Sequence, residues 1–157
     1  MRSVLFICHA NTARSVMAHV LLEEMVRQRN GSPGVRVRSA GVGPFARDGM
    51  IPSLDARLVL REEGLHLAED GLASTDLRQH RYLLVEADLI LTMTVQQKQV
   101  VEAFAEAQGR PILTLREFAG EEGDIGDPAG QGEVAFRACR DEIKRCLLKS
   151  VDRLLPT

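Results

Sequence analysis

Cys8 and Arg14 lie six positions apart in the sequence, a spacing suited to chemistry on a phosphate-like anion. The thiolate of a cysteine is a strong nucleophile that can attack phosphorus. The planar guanidinium of an arginine can bind two phosphate oxygens and the charge that develops during transfer. Because a cysteine and an arginine at this spacing arise often by chance, the pair gains meaning only from the segments that flank it.

The segment from Cys8 to Ser15, with the sequence CHANTARS, stands between a predicted strand and a predicted helix. An apolar, β-rich run from Arg2 to Cys8 precedes it, and apolar residues at helical spacing follow it: Met17, Val20, Leu21 and Met25. Backbone N–H groups in such a loop can surround a tetrahedral anion, and the amino terminus of the helix adds its dipole. We therefore expect a phosphate-binding loop here, whose field also favours the thiolate form of Cys8.

Two polar residues inside this segment are suited to support the loop. Ser15 could hydrogen-bond the sulfur of Cys8 and make it a better leaving group. Asn11 can adopt a left-handed backbone conformation at modest cost and pin the loop with its side chain. The alternative is that Cys8 is a buried core cysteine and Arg14 a surface residue, but the strand before the segment and the amphipathic helix after it favour the functional interpretation.

Further strands and helices alternate along the rest of the chain. The predicted elements are a strand at Val35–Gly41 after the turn cluster Asn30–Gly34, a helix at Leu54–Glu63 that stops at Gly64, a strand at Asp88–Met93, a helix at Thr94–Gly109, a strand at Pro111–Leu115 and a helix at Gln131–Leu155. This order predicts an α/β fold: a single three-layer domain over residues 1–157, with a four-stranded parallel sheet and helices on both faces. Ligands of such sheets gather at the carboxyl ends of the strands, where the phosphate loop follows strand 1.

The composition describes one globular domain without a large field of either charge sign. Of 157 residues, 45% are hydrophobic and 27% charged, and 20 basic against 22 acidic residues give a formal net charge of −2. We therefore expect neither nucleic acid nor a membrane as a partner. The apolar runs are far shorter than the roughly 18 residues of a membrane span, and we expect no signal peptide. Three cysteines at uneven spacing argue against a disulfide framework and favour a cytoplasmic location.

Three further segments extend the pattern: VRSAG at Val37–Gly41, ADLILTMT at Ala87–Thr94 and DIGDP at Asp124–Pro128. Together with the loop, they make the sequence resemble the low-molecular-weight protein tyrosine phosphatase family over its whole length. The resemblance implies a cysteine-dependent protein phosphatase that works through a cysteinyl-phosphate intermediate, with a phosphorylated protein as substrate and inorganic phosphate or a similar oxyanion in the loop. It implies no cofactor and no metal ion, and the four histidines, which we expect on the solvated surface, show no metal-binding spacing.

The resemblance also implies roles for individual residues. Cys8 is the expected nucleophile, Arg14 the phosphate clamp and Asp127 the general acid. Pro128 restricts Asp127 to an extended conformation, which helps to aim its carboxyl group, whereas the competing acid Asp124 lacks a following proline. The implied substrate-binding residues are His9, Ala10, Asn11, Thr12, Ala13 and Ser15, and the implied loop-support residues are Asn11, Ser15 and Ser39.

Four positions depart from the usual pattern of the family. Ala10 stands in place of a glycine at a tight point of the loop, and Ala13 replaces a second cysteine that protects the nucleophile as a reversible disulfide. Leu72 stands where many relatives have a histidine that supports the loop asparagine. Ala129-Gly130 replaces aromatic residues that stack on the substrate ring in many tyrosine-specific members.

Thr12 is the departure that bears most directly on the substrate. Tyrosine phosphatases of the family commonly have an aliphatic residue there, whereas its protein arginine phosphatases resemble this sequence in having threonine. A hydroxyl group can hydrogen-bond near a phosphoramidate, which makes phosphoarginine a possible substrate beside the phosphotyrosine of the family. Both substrates therefore stay open.

Two other functions use a loop of this kind. Arsenate reductases that resemble the family resolve a cysteinyl arsenate with further cysteines, but Cys139 and Cys146 lie on one face of the last predicted helix, where core packing is the better account. A non-catalytic phosphate-binding regulator is the other alternative. The joint presence of Cys8, Arg14 and Asp127 argues against it.

Overall fold

A parallel four-stranded sheet forms the centre of the structure, a computed structural model that describes residues 2–29, 34–68 and 70–154. Strand β1 (Arg2–Cys8) lies between β2 (Val35–Gly41) and β3 (Leu89–Thr92), and β4 (Ile112–Thr114) pairs with β3 at the edge. Residues 30–33 of the predicted turn cluster lie outside the described residues. The prediction of four parallel strands in one sheet is confirmed.

The register of β1 brings the phosphate loop to the carboxyl edge of this sheet. Cys8 is opposite Gly41 of β2, and Ile7 is opposite Thr92 of β3. Because all strands run in the same direction, the segments that follow β1, β2 and β3 emerge at one edge. Groups that are far apart in the sequence can therefore meet beside Cys8.

Helices cover both faces of the sheet, as predicted for a three-layer domain. They are α1 (Arg14–Gln28), α2 (Leu54–Arg61), α3 (Tyr82–Glu86), α4 (Val95–Glu102), α5 (Leu115–Phe118) and α6 (Glu133–Ser150). Successive side chains of β1 point to opposite faces, so that Val4 and Phe6 pack in one core cluster with α1, α2, α5 and α6, and Leu5 and Ile7 in the other with α3 and α4. Within the described ranges, none of the helices combines the length and the apolar character needed to cross a membrane.

The predicted helix at Thr94–Gly109 is shorter in the structure. Its start agrees, because Thr94 accepts a hydrogen bond from the backbone N–H of Gln97 and forms a capping box with it. The helix ends at Glu102, however, and the backbone of Phe104 is extended, with a ψ of 135°. Phe104 packs against the core cluster of α3 and α4, and this contact takes the chain out of its helical path before a short 3-10 turn at Ala105–Ala107.

The other two predicted helices also differ at their ends. The helix predicted at Leu54–Glu63 ends at Arg61, and Gly64, with a φ of 78°, completes the turn after it. The helix predicted at Gln131–Leu155 begins two residues later, at Glu133, after Gly132 with a φ of 90°. It continues to Ser150 and is followed by a 3-10 turn at Val151–Leu154. Leu155 lies outside the described residues.

Two neighbouring leucines of α6 provide a matched test of the core. Leu147 is fully buried, whereas Leu148 is 49% exposed. Leu147→Ala should lower the free energy of unfolding by about 2–5 kcal/mol, because it removes buried carbon atoms and leaves a cavity. Leu148→Ala should change it by roughly 0.5 kcal/mol or less. Urea unfolding followed by circular dichroism measures both values, and equal losses would contradict the orientation of α6.

Candidate active site

The phosphate loop (residues 8–15) joins the end of β1 to the start of α1. Ala13 precedes the helix and provides no side-chain hydrogen bond to its first turn, so that the N–H groups of this turn are available to an anion. A cavity of about 80 Å³ opens in front of the loop. Its walls are formed by Cys8, His9, Ala10, Thr12, Ala13, Arg14, Asp127 and Ala129.

Asn11 supports the phosphate loop from behind. It is buried, and its φ of 61° lies in the left-handed region, which asparagine adopts more readily than most residues. Its Nδ2 donates to Oγ of Ser15 at 2.7 Å, and its Oδ1 accepts from the backbone N–H of Thr75 at 2.9 Å. The side chain thereby ties the loop both to the start of α1 and to the segment between α2 and α3.

The sulfur of Cys8 is surrounded by groups that stabilise a negative charge. Its Sγ lies 2.9 Å from Oγ of Ser15 and accepts a hydrogen bond from the backbone N–H of Asn11 at 3.3 Å. The amino terminus of α1 adds its positive potential. These contacts would stabilise negative charge on the sulfur.

The surroundings of Ser39 and Leu72 differ from those expected. Oγ of Ser39 lies 2.9 Å from Nδ1 of His19, while the Asn11 side chain is held by Ser15 and by the backbone of Thr75. A main-chain N–H thus supports the loop asparagine without any histidine at position 72. His19 is buried, so the prediction of a solvated surface position is wrong for this histidine. His19 lies one helical turn after Ser15 on α1, and α1 packs against β2. A spacing of four residues places His19 on the same face of the helix as Ser15, and this spacing is visible in the sequence.

The acid loop (residues 124–128) meets the phosphate loop at Arg14. This arginine is buried; its Nη1 donates to the carbonyl oxygen of Ile125 at 2.8 Å, and its Nη2 lies 3.6 Å from Oδ2 of Asp127. The side chain of Asp127 is 51% exposed. Its carboxyl group therefore stands at the mouth of the cavity, where the leaving group of a bound phosphate would depart.

Asp124, the competing acid, has a different contact. Its Oδ1 accepts from the backbone N–H of Val95, the first residue of α4, at 2.8 Å. A carboxylate is favourable at the amino terminus of a helix. Since Asp124 is engaged there and Asp127 lines the cavity, the geometry favours Asp127 as the proton donor.

Gly41 leaves no room for a side chain behind the loop, whereas a side chain at Gly43 would require the exposed His9 ring to move. A Cβ atom on Gly41 would lie 2.8 Å from the carbonyl oxygen of His9, and one on Gly43 would lie 2.7 Å from the His9 ring. The backbone N–H of Gly43 also donates to the His9 carbonyl oxygen at 2.8 Å. Sequence reasoning missed both contacts, because they involve backbone atoms and only the VRSAG segment hinted at Gly41.

Two small side chains lie at the rim of the cavity. Thr12 and Ala129 line the cavity from the phosphate loop and from the segment after the acid loop. The Thr12 carbonyl oxygen accepts from the backbone N–H of Ser53 at 2.9 Å, so that the chain between β2 and α2 passes beside it. Phe45 and Ile51 of that chain are 82% and 54% exposed.

Cys139 and Cys146 are free, buried thiols of α6. Burial raises the pKa of Cys139 to about 12 and also raises the pKa of Cys146, which keeps both groups protonated at neutral pH. This environment suits core packing and disfavours a thiol relay. Among the residues that the structure describes, no group of three or more His, Cys, Asp or Glu side chains could hold a metal ion.

Comparison with known proteins gives a consistent result. The sequence model of a family described as low molecular weight phosphotyrosine protein phosphatase matches residues 3–155. A protein-arginine-phosphatase of Geobacillus stearothermophilus is 38% identical over 153 residues, which cover 96% of this chain and 95% of that protein. The low molecular weight protein-tyrosine-phosphatase PtpB of Staphylococcus aureus is 31% identical over 151 residues, which cover 95% of this chain and 96% of PtpB.

A solved structure adds chemical information. It is a cysteine-to-serine mutant of YwlE arginine phosphatase with a phosphorylated active-site serine. The two structures align with a TM-score of 0.85 and 31% sequence identity, over 97% of this chain and 95% of the other. The fold is therefore shared along nearly the whole chain.

The contrasting environments of the three cysteines can be tested by alkylation. At pH 7, iodoacetate should modify Cys8, because it lines the cavity, and inorganic phosphate should slow this reaction by occupying the loop. Cys139 and Cys146 should stay unmodified, because neither lines the cavity and burial raises the pKa of both thiols. Mass spectrometry of peptides from the folded protein measures each site. Modification of Cys139 as fast as that of Cys8 would contradict the structure.

Proposed function

We propose that this chain, which belongs to the low molecular weight phosphotyrosine protein phosphatase family, dephosphorylates proteins through a cysteinyl-phosphate and acts preferentially on phosphoarginine. The observation that carries the activity is the meeting of Cys8, Arg14 and Asp127 at one cavity of about 80 Å³. A nucleophile, a cation for the transferred group and a proton donor are the parts that this reaction requires.

In the first step, the thiolate of Cys8 attacks phosphorus and the bond from phosphorus to the leaving group breaks. The backbone N–H groups of the phosphate loop and the guanidinium of Arg14 bind the phosphoryl oxygens. Asp127 donates its proton to the departing atom, an oxygen in phosphotyrosine or a nitrogen in phosphoarginine. The position of its carboxyl group at the mouth of the cavity suits this role.

In the second step, water attacks the cysteinyl-phosphate and releases inorganic phosphate. Asp127, now a carboxylate, accepts a proton from the water, and the sulfur of Cys8 leaves as a thiolate. The contact of 2.9 Å between Ser15 and this sulfur stabilises the departing charge. The phosphorylated active-site serine of the YwlE mutant supports a phosphoenzyme at the equivalent position.

The preference for phosphoarginine rests on two residues at the rim and on the relatives. Thr12 lines the cavity, and its hydroxyl group could accept a hydrogen bond from a phosphoramidate N–H there. Ala129 offers no aromatic surface for a tyrosine ring. A relative named protein-arginine-phosphatase is 38% identical, and one named protein-tyrosine-phosphatase is 31% identical, so phosphotyrosine is the second candidate substrate.

The two alternatives named at the outset find less support. An arsenate reductase needs accessible thiols to resolve the cysteinyl arsenate, and Cys139 and Cys146 are buried with raised pKa values. A regulator that only binds phosphate would need neither a proton donor at the mouth of the cavity nor a sulfur supported as a leaving group.

The substrate preference can be tested on one side chain. The wild type should hydrolyse a phosphoarginine peptide with a higher kcat/KM than a phosphotyrosine peptide. Thr12→Ile should reduce this ratio by roughly tenfold, because one hydrogen bond is lost and a polar group of the substrate is left unpaired. The rates of phosphate release from the two peptides give the ratio of their kcat/KM values, and Cys8→Ser is the inactive control. An unchanged ratio would contradict a role for Thr12, and activity of Cys8→Ser near that of the wild type would contradict the mechanism.

The general acid can be identified from the leaving group. Asp127→Ala should lower kcat/KM for phenyl phosphate by roughly 10²- to 10⁴-fold, because this leaving group requires a proton. The loss should be smaller for dinitrophenyl phosphate, whose leaving group is stable as an anion. Asp124→Ala serves as the comparison. A larger loss in Asp124→Ala than in Asp127→Ala would show that the acid is assigned to the wrong residue.

A further inference from the structure

The acid loop has no helix or strand of its own, yet its first residues are held from two sides. The carbonyl oxygen of Asp124 accepts from Nε of Arg116 at 3.1 Å, and its side chain accepts from the N–H of Val95 at 2.8 Å. The next residue, Ile125, donates its N–H to the carbonyl oxygen of Met93 at 2.8 Å. These three bonds attach the start of the loop to α5, to α4 and to the end of β3.

The rest of the acid loop is held by Arg14 and by a buried residue of α6. The carbonyl oxygen of Ile125 accepts from Arg14 at 2.8 Å, and that of Gly126 lies 3.8 Å from the thiol of Cys139. The carboxyl group of Asp127 is thus at the end of a segment in which each preceding residue has a partner in another element. The carboxyl group itself accepts from the backbone N–H of Ala129 at 3.0 Å and lies 3.6 Å from Nη2 of Arg14, so the partners of residues 124–126 set the backbone from which it projects.

Arg116 is held in place by a network of ion pairs. Its side chain is 25% exposed, Nη1 lies 3.3 Å from Oε1 of Glu121, and Nη2 pairs with Glu142 of α6. Glu121 is in turn bonded by Arg145 and Lys149. These two cations hold the pKa of Glu121 at about 2, so the carboxylate stays ionised at any ordinary assay pH.

The backbone near Arg116 also fits around its side chain. The N–H of Glu121 donates to the Arg116 carbonyl oxygen at 2.8 Å. At Gly123, with a φ of 105°, a Cβ atom would lie 3.6 Å from Cδ of Arg116. The chain therefore turns over the stem of this arginine immediately before Asp124.

We propose that Arg116 and Asp124 are positioning residues for the general acid: they fix the start of the acid loop so that Asp127 faces the leaving group beside Arg14. This inference rests on the proposed function. Neither residue lines the cavity, and both act through the backbone of residues 124–127. Proton transfer depends on the distance between donor and acceptor. A displaced loop therefore slows the departure of a leaving group that needs a proton more than the departure of one that does not.

The test compares two arginines of one ion-pair network. Arg116→Gln removes the bond to the loop, whereas Arg145→Gln removes a partner of Glu121 and no described bond to the acid loop. For Arg116→Gln, kcat/KM for phenyl phosphate should fall by roughly 10- to 100-fold, the loss expected from a misplacement of about 1 Å. The loss for dinitrophenyl phosphate should be only a few-fold, because kcat/KM reports the step in which the leaving group departs.

The control and the pH profile separate positioning from a general loss of stability. Arg145→Gln should keep the wild-type ratio between the two substrates, and thermal unfolding should show that both variants are folded. In Arg116→Gln, the limb of the kcat/KM profile that reports ionisation of the acid should flatten for phenyl phosphate. Equal losses on both substrates, or the same change of ratio in Arg145→Gln, would overturn the inference.

Two further measurements keep the outcomes distinct. If Arg116→Gln does not fold, Asp124→Ala should show the same dependence on the leaving group, with a smaller loss than Asp127→Ala. An unchanged ratio in a folded Asp124→Ala would then overturn the inference. If the wild type releases phosphate from neither aryl phosphate nor from either phosphopeptide, the proposed function itself is wrong, whereas an active wild type with a normal Arg116→Gln variant overturns only the positioning role.

Discussion

The left-handed turn at Asn11 is the constraint on which the rest of the site depends. A loop that binds an anion must direct most of its backbone N–H groups toward the centre of the loop, where they are left for the anion. Ordinary secondary structure cannot hold such a loop, so its support comes from behind. The buried side chain of Asn11 provides it, with one bond to Ser15 and one to the backbone of Thr75.

The order of strands explains how distant segments reach this loop. Because β1 is flanked by β2 and β3, the ends of both neighbours lie beside Cys8. The end of β2 contributes Gly41, which has no Cβ atom and so allows the backbone of His9 to come close. The end of β3 leads to Met93, whose carbonyl oxygen holds Ile125 of the acid loop. A parallel sheet thus positions the support on one side and the acid on the other.

The parts of this arrangement that are local in sequence could be predicted, and those that depend on the backbone could not. The strand before Cys8, the helix after Arg14 and the proline after Asp127 are readable as patterns. Asn11 takes part in its bond to Thr75 with its side chain, but Thr75 takes part with its backbone N–H, which no residue type indicates. In the same way, Arg116 bonds to the carbonyl oxygen of Asp124, a group that every residue has. The extended backbone at Phe104 could not be predicted either, because tertiary packing overrides helical propensity there.

Selectivity has to come from the rim, because the central groups serve every phosphate monoester or phosphoramidate alike. In the proposed mechanism, Cys8 and Arg14 contact the phosphoryl group, which is the same in phosphotyrosine and phosphoarginine. Under the proposed preference, the two rim departures would act in the same direction: Thr12 would add a hydrogen-bonding group near the atom that links phosphorus to the leaving group, and Ala129 would omit a stacking surface whose contribution to aromatic contacts is about 0.5–1.5 kcal/mol. A site that loses affinity for a ring while gaining a polar contact is shifted toward a polar, non-aromatic leaving group. The same catalytic machinery can therefore serve a different phosphorylated residue through changes at its edge.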